Sequence, residues 1–175
     1  MKHFGLTTLL ITLVGMLTVC SCDNKNGGLY YMEVTVPTKN VMSFDMQNGG
    51  KDTIKVKNDS TLQICGIEIY DTDKTGSGEY LYNANLFNDE QPTTLEKDGE
   101  TFGTIVYDKD GSVNKITIAE YEISKVTDKE GTFRNEYAVY VKPSATTRKY
   151  RLIISVYCTT PEHEMKASPA RITIE

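Results

Sequence analysis

Alternation of apolar and polar residues with a period of two is the feature that most constrains how this 175-residue chain can fold. Successive side chains of a strand point to opposite faces, so this pattern is typical of strands with one buried face. The clearest example is the run Tyr150, Leu152, Ile154, Val156 and Cys158, set against Arg151, Ser155 and Tyr157. Similar runs occupy residues 32–36, 54–56, 62–69, 104–107, 116–118, 121–123, 137–141 and 170–174.

The run over residues 62–69 changes phase in the middle. Leu62 and Ile64 share one parity, whereas Ile67 and Ile69 share the other. One extra residue at Cys65-Gly66 would return all four apolar side chains to one face. The sequence therefore predicts a β-bulge there.

Turn-forming residues separate the runs, at residues 48–50, 71–78, 108–111, 128–131 and 143–144. A spacing of about 8–12 residues between turn signals is typical of a β-sandwich. Beyond the first 22 residues no stretch sustains a period of 3.6. We therefore predict an all-β protein with almost no helix, a single antiparallel immunoglobulin-like β-sandwich over residues 29–175.

The N-terminus has a different composition. Lys2 precedes an apolar stretch over residues 6–19, and a polar segment rich in Asn and Gly follows Cys22. The stretch is shorter than the about 20 residues that a membrane-spanning helix needs. This arrangement is typical of a secretory signal. We expect residues 1–21 to be removed by cleavage.

The four residues Val19-Cys20-Ser21-Cys22 resemble a bacterial lipobox, which has an aliphatic residue at −3 and a small residue at −1 before the cysteine to be acylated. Cys20 fits less well, because bulky Val19 would then stand at −1. The resemblance implies that Cys22 carries palmitate-type acyl chains and holds the protein on a membrane. Residues 22–28 would be the lipidated cysteine and a flexible tether.

The order Cys-Ser-Cys-Asp is similar to that in lipoproteins of the Bacteroidetes. Surface-exported members of that group tend to have an acidic cluster after the cysteine. Here Asp23 is followed by Asn24 and Lys25. The resemblance therefore implies a lipid anchor in the outer membrane of the cell envelope, with the periplasmic side favoured over the surface.

Residues 137–175 also resemble a known module. A strand, the turn Lys-Pro-Ser-Ala-Thr-Thr-Arg and two final strands are similar to the C-terminal half of the immunoglobulin-like BACON family, and residues 49–56 are similar to its early strands. The resemblance implies an immunoglobulin-like fold and an association with carbohydrate binding. The chain departs from the family in having no tryptophan and in ending Ile174-Glu175, where that family favours glutamine.

Charge and composition exclude several functions. Cleavage leaves 175 − 21 = 154 residues, and the loss of Lys2 makes the formal charge 18 − 24 = −6. Such an acidic chain without a basic run indicates that nucleic acid is not a partner. His163 is the only histidine after cleavage, and no Gly-x-Ser-x-Gly elbow is present. We expect no enzyme activity and no cofactor.

Cys65 and Cys158 are the two cysteines left after cleavage at Cys22 and its acylation. The cell envelope permits disulfides. The strand runs containing these cysteines, one early and one late, would suit a bridge between two facing sheets. Two buried thiols are the alternative, and the sequence does not choose between them.

Residues 71–79 begin like a calcium loop. Asp71, Asp73 and Thr75 place oxygen atoms at alternate positions before a glycine, and Ca²⁺ takes six to eight oxygen ligands. However, position twelve of the loop is Tyr82 instead of glutamate. We favour a polar hairpin loop without metal over this weak calcium candidate.

Eleven tyrosines in a chain without tryptophan are the remaining unusual feature. Sugar rings stack on exposed aromatic side chains, so Tyr80, Tyr82 and Phe87 are a candidate ligand platform. Tyrosine also suits strands in which the ring is buried and the hydroxyl reaches the rim. We expect a lipid-anchored, non-catalytic envelope module that binds glycan or another envelope protein. The alternative is a structural or assembly accessory of a surface fibre or outer-membrane complex.

Overall fold

The computed structural model describes residues 37–56, 61–72, 78–86, 91–145, 150–159 and 169–175. Eleven strands and no helix occur within these ranges. The strands are β1 (Val41–Met42), β2 (Gly50–Lys55), β3 (Thr61–Asp71), β4 (Glu79–Asn85), β5 (Thr94–Lys97), β6 (Glu100–Tyr107), β7 (Val113–Ile118), β8 (Tyr121–Thr127), β9 (Phe133–Val141), β10 (Tyr150–Thr159) and β11 (Ala170–Ile174). The all-β prediction is confirmed.

The strands form two sheets that pack face to face as a β-sandwich. One sheet has five strands in the order β1-β11-β10-β3-β4, and the other has six in the order β2-β9-β8-β7-β6-β5. The segments β11-β10-β3-β4 and β2-β9-β8 have the neighbours of strands G-F-C-C′ and B-E-D in an immunoglobulin fold. Strands β5 to β7 extend the second sheet as a meander.

One strand pair departs from the predicted antiparallel pattern. β1 runs parallel to β11, with Val41 opposite Thr173 and Met42 opposite Ile174. Just before it, Pro37 bridges to Val56 beside the edge strand of the other sheet. The chain therefore contacts both sheets before β2 begins. A parallel pair requires a long connection, and here β1 and β11 lie at opposite ends of the described chain.

The alternating apolar residues of both sheets form the core. Ile69, Leu152, Ile154 and Ile174 from the five-stranded sheet and Val139 from the six-stranded sheet are 0% exposed. Burial of a side chain of this size contributes about 1.5–3 kcal/mol. Packing of the two apolar faces is thus what holds the sheets together.

The predicted bulge is confirmed. Ser155 pairs with Gly66 and Val156 pairs with Ile64, so Cys65 is the extra residue of β3. The Asp-x-x-Gly turns are also confirmed, because the amides of Gly111 and Gly131 donate to the carbonyl oxygens of Asp108 and Asp128. Both glycines have positive φ, 79° and 85°.

Candidate functional site

The bulge at Cys65 creates a depression on the outer face of the five-stranded sheet. It shifts the phase of β3 so that Gly66 lies beside Ser155 of β10 and Asn85 of β4. Gly66 has no side chain, whereas its neighbours in the same row have. The surface of the sheet is therefore depressed at Gly66, between the side chains of Asn85 and Ser155.

This depression is a groove with a volume of about 210 Å³. It is open to solvent and is bordered by backbone and side chains from β3, β4 and β10 together with Pro169. The lining residues are Cys65, Gly66, Ile67, Glu68, Asn83, Ala84, Asn85, Ser155, Tyr157 and Pro169. Pockets for drug-sized ligands have about 300–1,000 Å³. The groove is therefore of a size for one sugar ring or a similar group.

Polar groups of several kinds meet in the groove. Asn83 and Asn85 are exposed residues of β4, and each carboxamide can both donate and accept hydrogen bonds. Ser155 adds a hydroxyl, Glu68 a carboxylate and Tyr157 an aromatic ring. Such a set can bind a ligand that carries several hydroxyl groups.

Two neighbouring side chains hold the Glu68 carboxylate in place. The Tyr70 hydroxyl donates to Glu68 Oε2 at 2.8 Å. The Arg171 guanidinium lies 2.7 Å from Oε1 and 2.8 Å from Oε2. The hydrogen bond to Glu68 raises the pKa of the Tyr70 phenol, because it stabilises the protonated form. Glu68 is thus a fixed acceptor at the side of the groove.

An aromatic and basic cluster continues this face beyond Glu68. The rings of Tyr70 and Tyr80 make an edge-to-face contact at 5.7 Å. Arg151 lies over the ring of Tyr70 at 5.3 Å, and the Lys97 ammonium lies 5.5 Å from the ring centre of Tyr80. Tyr80 remains 46% exposed. These stacked contacts orient both tyrosine rings.

The structure does not bring Tyr80 and Tyr82 to one face, as the platform hypothesis requires. Ile69 pairs with Tyr82 but Tyr70 pairs with Tyr80, so Leu81 is an extra residue in β4. Tyr82 packs against the core, 6.0 Å from the ring of Phe102, and burial raises its pKa. Of the three proposed platform residues, Tyr80 is exposed, Tyr82 faces the core and Phe87 lies outside the described residues.

The candidate calcium loop is described only at its ends. Asp71 closes β3 opposite Tyr150 and Glu79, whereas Asp73 and Thr75 lie outside the described residues. In the part of the chain that the structure describes, no group of three His, Cys, Asp or Glu side chains could hold a metal ion. The choice between a calcium loop and a plain hairpin loop stays a prediction.

The two cysteines lie on neighbouring strands of one sheet, not on facing sheets. Cys65 is the bulge residue of β3, and its thiol donates to the Ser155 carbonyl oxygen at 3.3 Å. Cys158 of β10 pairs with Leu62, and its side chain lies outside the described part. Cys65 is three residues along β3 from Leu62, the residue that pairs with Cys158. At about 3.4 Å per residue, Cys65 is therefore displaced along the strand from the position opposite Cys158. The bridge stays a prediction, and alkylation of both cysteines without reductant would rule it out.

The N-terminal predictions for Cys22 and residues 1–28, and the interpretation of His163, concern residues outside the described ranges. Among the residues that are described, no helix is long and apolar enough to cross a membrane.

Sequence reasoning located the bulge but missed the groove that the bulge forms. Asn83, Asn85 and Ser155 carry no distinguishing pattern in the sequence, because they come from strands that only the sheet order makes neighbours. A usable signal was present in Gly66, since glycine in a strand often marks a bulge or a site of close approach.

Fold and groove together define an immunoglobulin-like β-sandwich with a small groove on one outer face. No protein-family model matches this chain, and a search of curated proteins found no match.

Proposed function

We propose that this chain is a lipid-anchored, non-catalytic binding module of the bacterial cell envelope, and that its ligand is a glycan. The groove at Gly66 carries the proposal. It combines carboxamides, a hydroxyl, a carboxylate and an aromatic ring within about 210 Å³ on a rigid sheet. Sugars are recognised by hydrogen bonds to their hydroxyls and by stacking of their apolar ring faces on aromatic side chains.

The anchor part of the proposal comes from the lipobox-like sequence around Cys22. Lipid on this cysteine would hold the domain at the outer membrane through the tether over residues 22–28, with the periplasmic side favoured. A module of this kind concentrates a glycan at the membrane without changing it.

The experiment is a glycan array together with affinity electrophoresis on several polysaccharides, using the mature chain and a variant with a filled groove. Gly66→Leu is suitable, because a Cβ at Gly66 would lie 3.4 Å from its nearest neighbours, Ala84 O and Ser155 Cβ. The rest of a leucine side chain would then extend into the groove. Wild type should be retarded on at least one glycan, and Gly66→Leu should lose that retardation.

Thr104→Leu is the matched control. Thr104 is exposed and pairs with Thr117 in the six-stranded sheet, so the variant places the same leucine side chain on a strand away from the groove. It should bind like wild type, and both variants should melt near the wild-type temperature. If wild type is unretarded on every polysaccharide, the glycan proposal fails. Recovery of the chain in a large envelope particle would then favour the structural or assembly role.

A further inference from the structure

Glu68 is the one formally charged side chain among the described residues that line the groove. It lies on β3 opposite Asn83 of β4 and Ile153 of β10, next to the depression that Gly66 leaves. Its side chain is 22% exposed. A ligand that fills the groove therefore lies beside this acidic side chain.

The carboxylate cannot easily turn away from such a ligand. Tyr70 holds one of its oxygens, and Arg171 contacts both. Two carboxylate oxygens offer about four acceptor positions, and these three contacts leave acceptor capacity for a ligand hydroxyl. The geometry thus presents a fixed acceptor at this side of the groove, opposite the Asn83 carboxamide.

Arg171 does not reverse the charge that the ligand meets. It reaches Glu68 from β11, with β10 lying between β11 and β3, and it is not among the residues that line the groove. Its side chain is 56% exposed, so water and salt screen its charge. The one formal charge among the described lining residues is therefore negative, in a chain that is acidic as a whole.

We infer that Glu68 makes the groove select sugar residues without acidic groups and exclude uronic acids. This inference rests on the proposed glycan function. A hydroxymethyl group can donate a hydrogen bond to the fixed carboxylate. A sugar carboxylate in the same place brings a like charge and no donor, and like charges placed together disfavour the wrong partner. Specificity then comes from repulsion as much as from attraction.

The test is an NMR chemical-shift titration of the mature chain with two sets of sugars. One set is the methyl glycosides of glucose, galactose and mannose, and the other is the methyl glycosides of the corresponding uronic acids, which keep a free carboxylate. At least one neutral glycoside should bind, and its uronate should bind on the order of tenfold more weakly. Added salt should reduce this ratio, because it screens the repulsion. These wild-type measurements do not depend on any variant.

Glu68→Gln keeps the shape of the side chain and removes its charge. The ratio between neutral and acidic glycoside should fall to within about threefold. Glu122→Gln is the matched control, because Glu122 pairs with Lys115 at 2.8 Å on the six-stranded sheet and changes the net charge equally. It should leave the ratio as in wild type.

Different results overturn different statements. If no neutral or acidic glycoside shifts any signal, this inference fails, and the array and electrophoresis decide whether the proposed function fails with it. If neutral and acidic glycosides bind equally well to wild type, the inference about Glu68 is overturned while glycan binding stands. An unchanged ratio in Glu68→Gln would assign the selectivity to another group and also overturn it.

Discussion

The hydroxyl of Tyr121 on β8 donates a hydrogen bond to the carbonyl oxygen of Tyr150 on β10, at 2.7 Å, and so joins the two sheets across the core. Tyr121 is 1% exposed. Tyr121→Phe would leave a buried carbonyl without this donor, which costs about 1–3 kcal/mol. We expect a lower free energy of unfolding by chemical denaturation. Tyr140→Phe, on the outer face of β9, is the control and should change stability little.

Alkaline pH should destabilise the fold through its buried phenols. Burial raises the pKa of Tyr121 from 10.0 to about 12, and burial also raises the pKa of Tyr137. The unfolded chain loses these protons first, so the stability they confer is complete below pH 10 and decreases as pH rises toward 12. A shift of this size in Tyr121 corresponds to about 2–3 kcal/mol. The stability of Tyr121→Phe, measured by denaturation, should fall less steeply over this range. If the stability of Tyr121→Phe falls with pH as steeply as that of wild type, Tyr121 is not a source of the alkaline destabilisation.

Removal of Asp108 from its ion pair with Lys125 should lower the free energy of unfolding more than removal of Lys125. The Lys125 ammonium lies 2.6 Å from Asp108 Oδ2, and the two side chains are 9% and 35% exposed. Asp108→Asn leaves a nearly buried cation without its counter-charge and should cost about 1–3 kcal/mol. Lys125→Met should cost less, because Asp108 is accessible to water. The free energies of unfolding of the two variants test this order.

The same pair predicts a dependence on acid pH. The hydrogen bond from Lys125 lowers the pKa of Asp108 below its ordinary 3.8. The stability it confers is therefore present above pH 3.8 and decreases as pH falls through the lowered value.

Lys39→Met removes an exposed pair with Asp52 and should change stability by less than about 1 kcal/mol. A comparable loss in Lys39→Met and Asp108→Asn would contradict this account.

Two strand glycines should respond differently to alanine. A Cβ at Gly103 would lie only 2.1 Å from the Thr117 carbonyl oxygen, whereas a Cβ at Gly66 would meet nothing closer than 3.4 Å. Gly103→Ala should destabilise the protein by about 1–3 kcal/mol. Gly66→Ala should be neutral or slightly stabilising, because it restricts the unfolded chain. Thermal melting of both variants checks the contrast, and equal melting temperatures would count against it.

Lipid attachment can be assigned to one of two neighbouring cysteines. Metabolic labelling with palmitate should mark the wild-type chain and Cys20→Ser, but not Cys22→Ser. Cys22→Ser should also leave the membrane fraction, because lipid provides the attachment. Labelling that survives in Cys22→Ser would show that the lipobox interpretation is wrong.

Much of the fold could be predicted because a strand with one buried face shows an alternating pattern of residue types along the chain. Tyr150, Leu152, Ile154 and Val156 recur at every second position of β10, and all four are buried. The phase change between Ile64 and Ile67 predicted the bulge for the same reason. β5 was not predicted, because only Leu95 in Thr94–Lys97 is buried and one apolar residue makes no pattern.

Whether Tyr80 and Tyr82 share a face depends on more than the local sequence. The residues of β4 are Glu-Tyr-Leu-Tyr-Asn-Ala-Asn, and equal parity suggested one face for Tyr80 and Tyr82. The extra residue at Leu81 separates them. Tyrosine and leucine both fit a buried or an exposed face of a strand. The alternation of Tyr80, Leu81 and Tyr82 therefore does not show which side chain is buried, and only the pairing of β4 with β3 decides it.

The sequence by itself determined most of the strands and turns and the bulge at Cys65-Gly66, because each depends on residues that are close along the chain. The tertiary structure decided the sheet order and therefore the groove. Gly66, Asn85 and Ser155 are neighbours only because β3 lies between β4 and β10. That order follows from the packing of two complete apolar faces, which no single segment encodes.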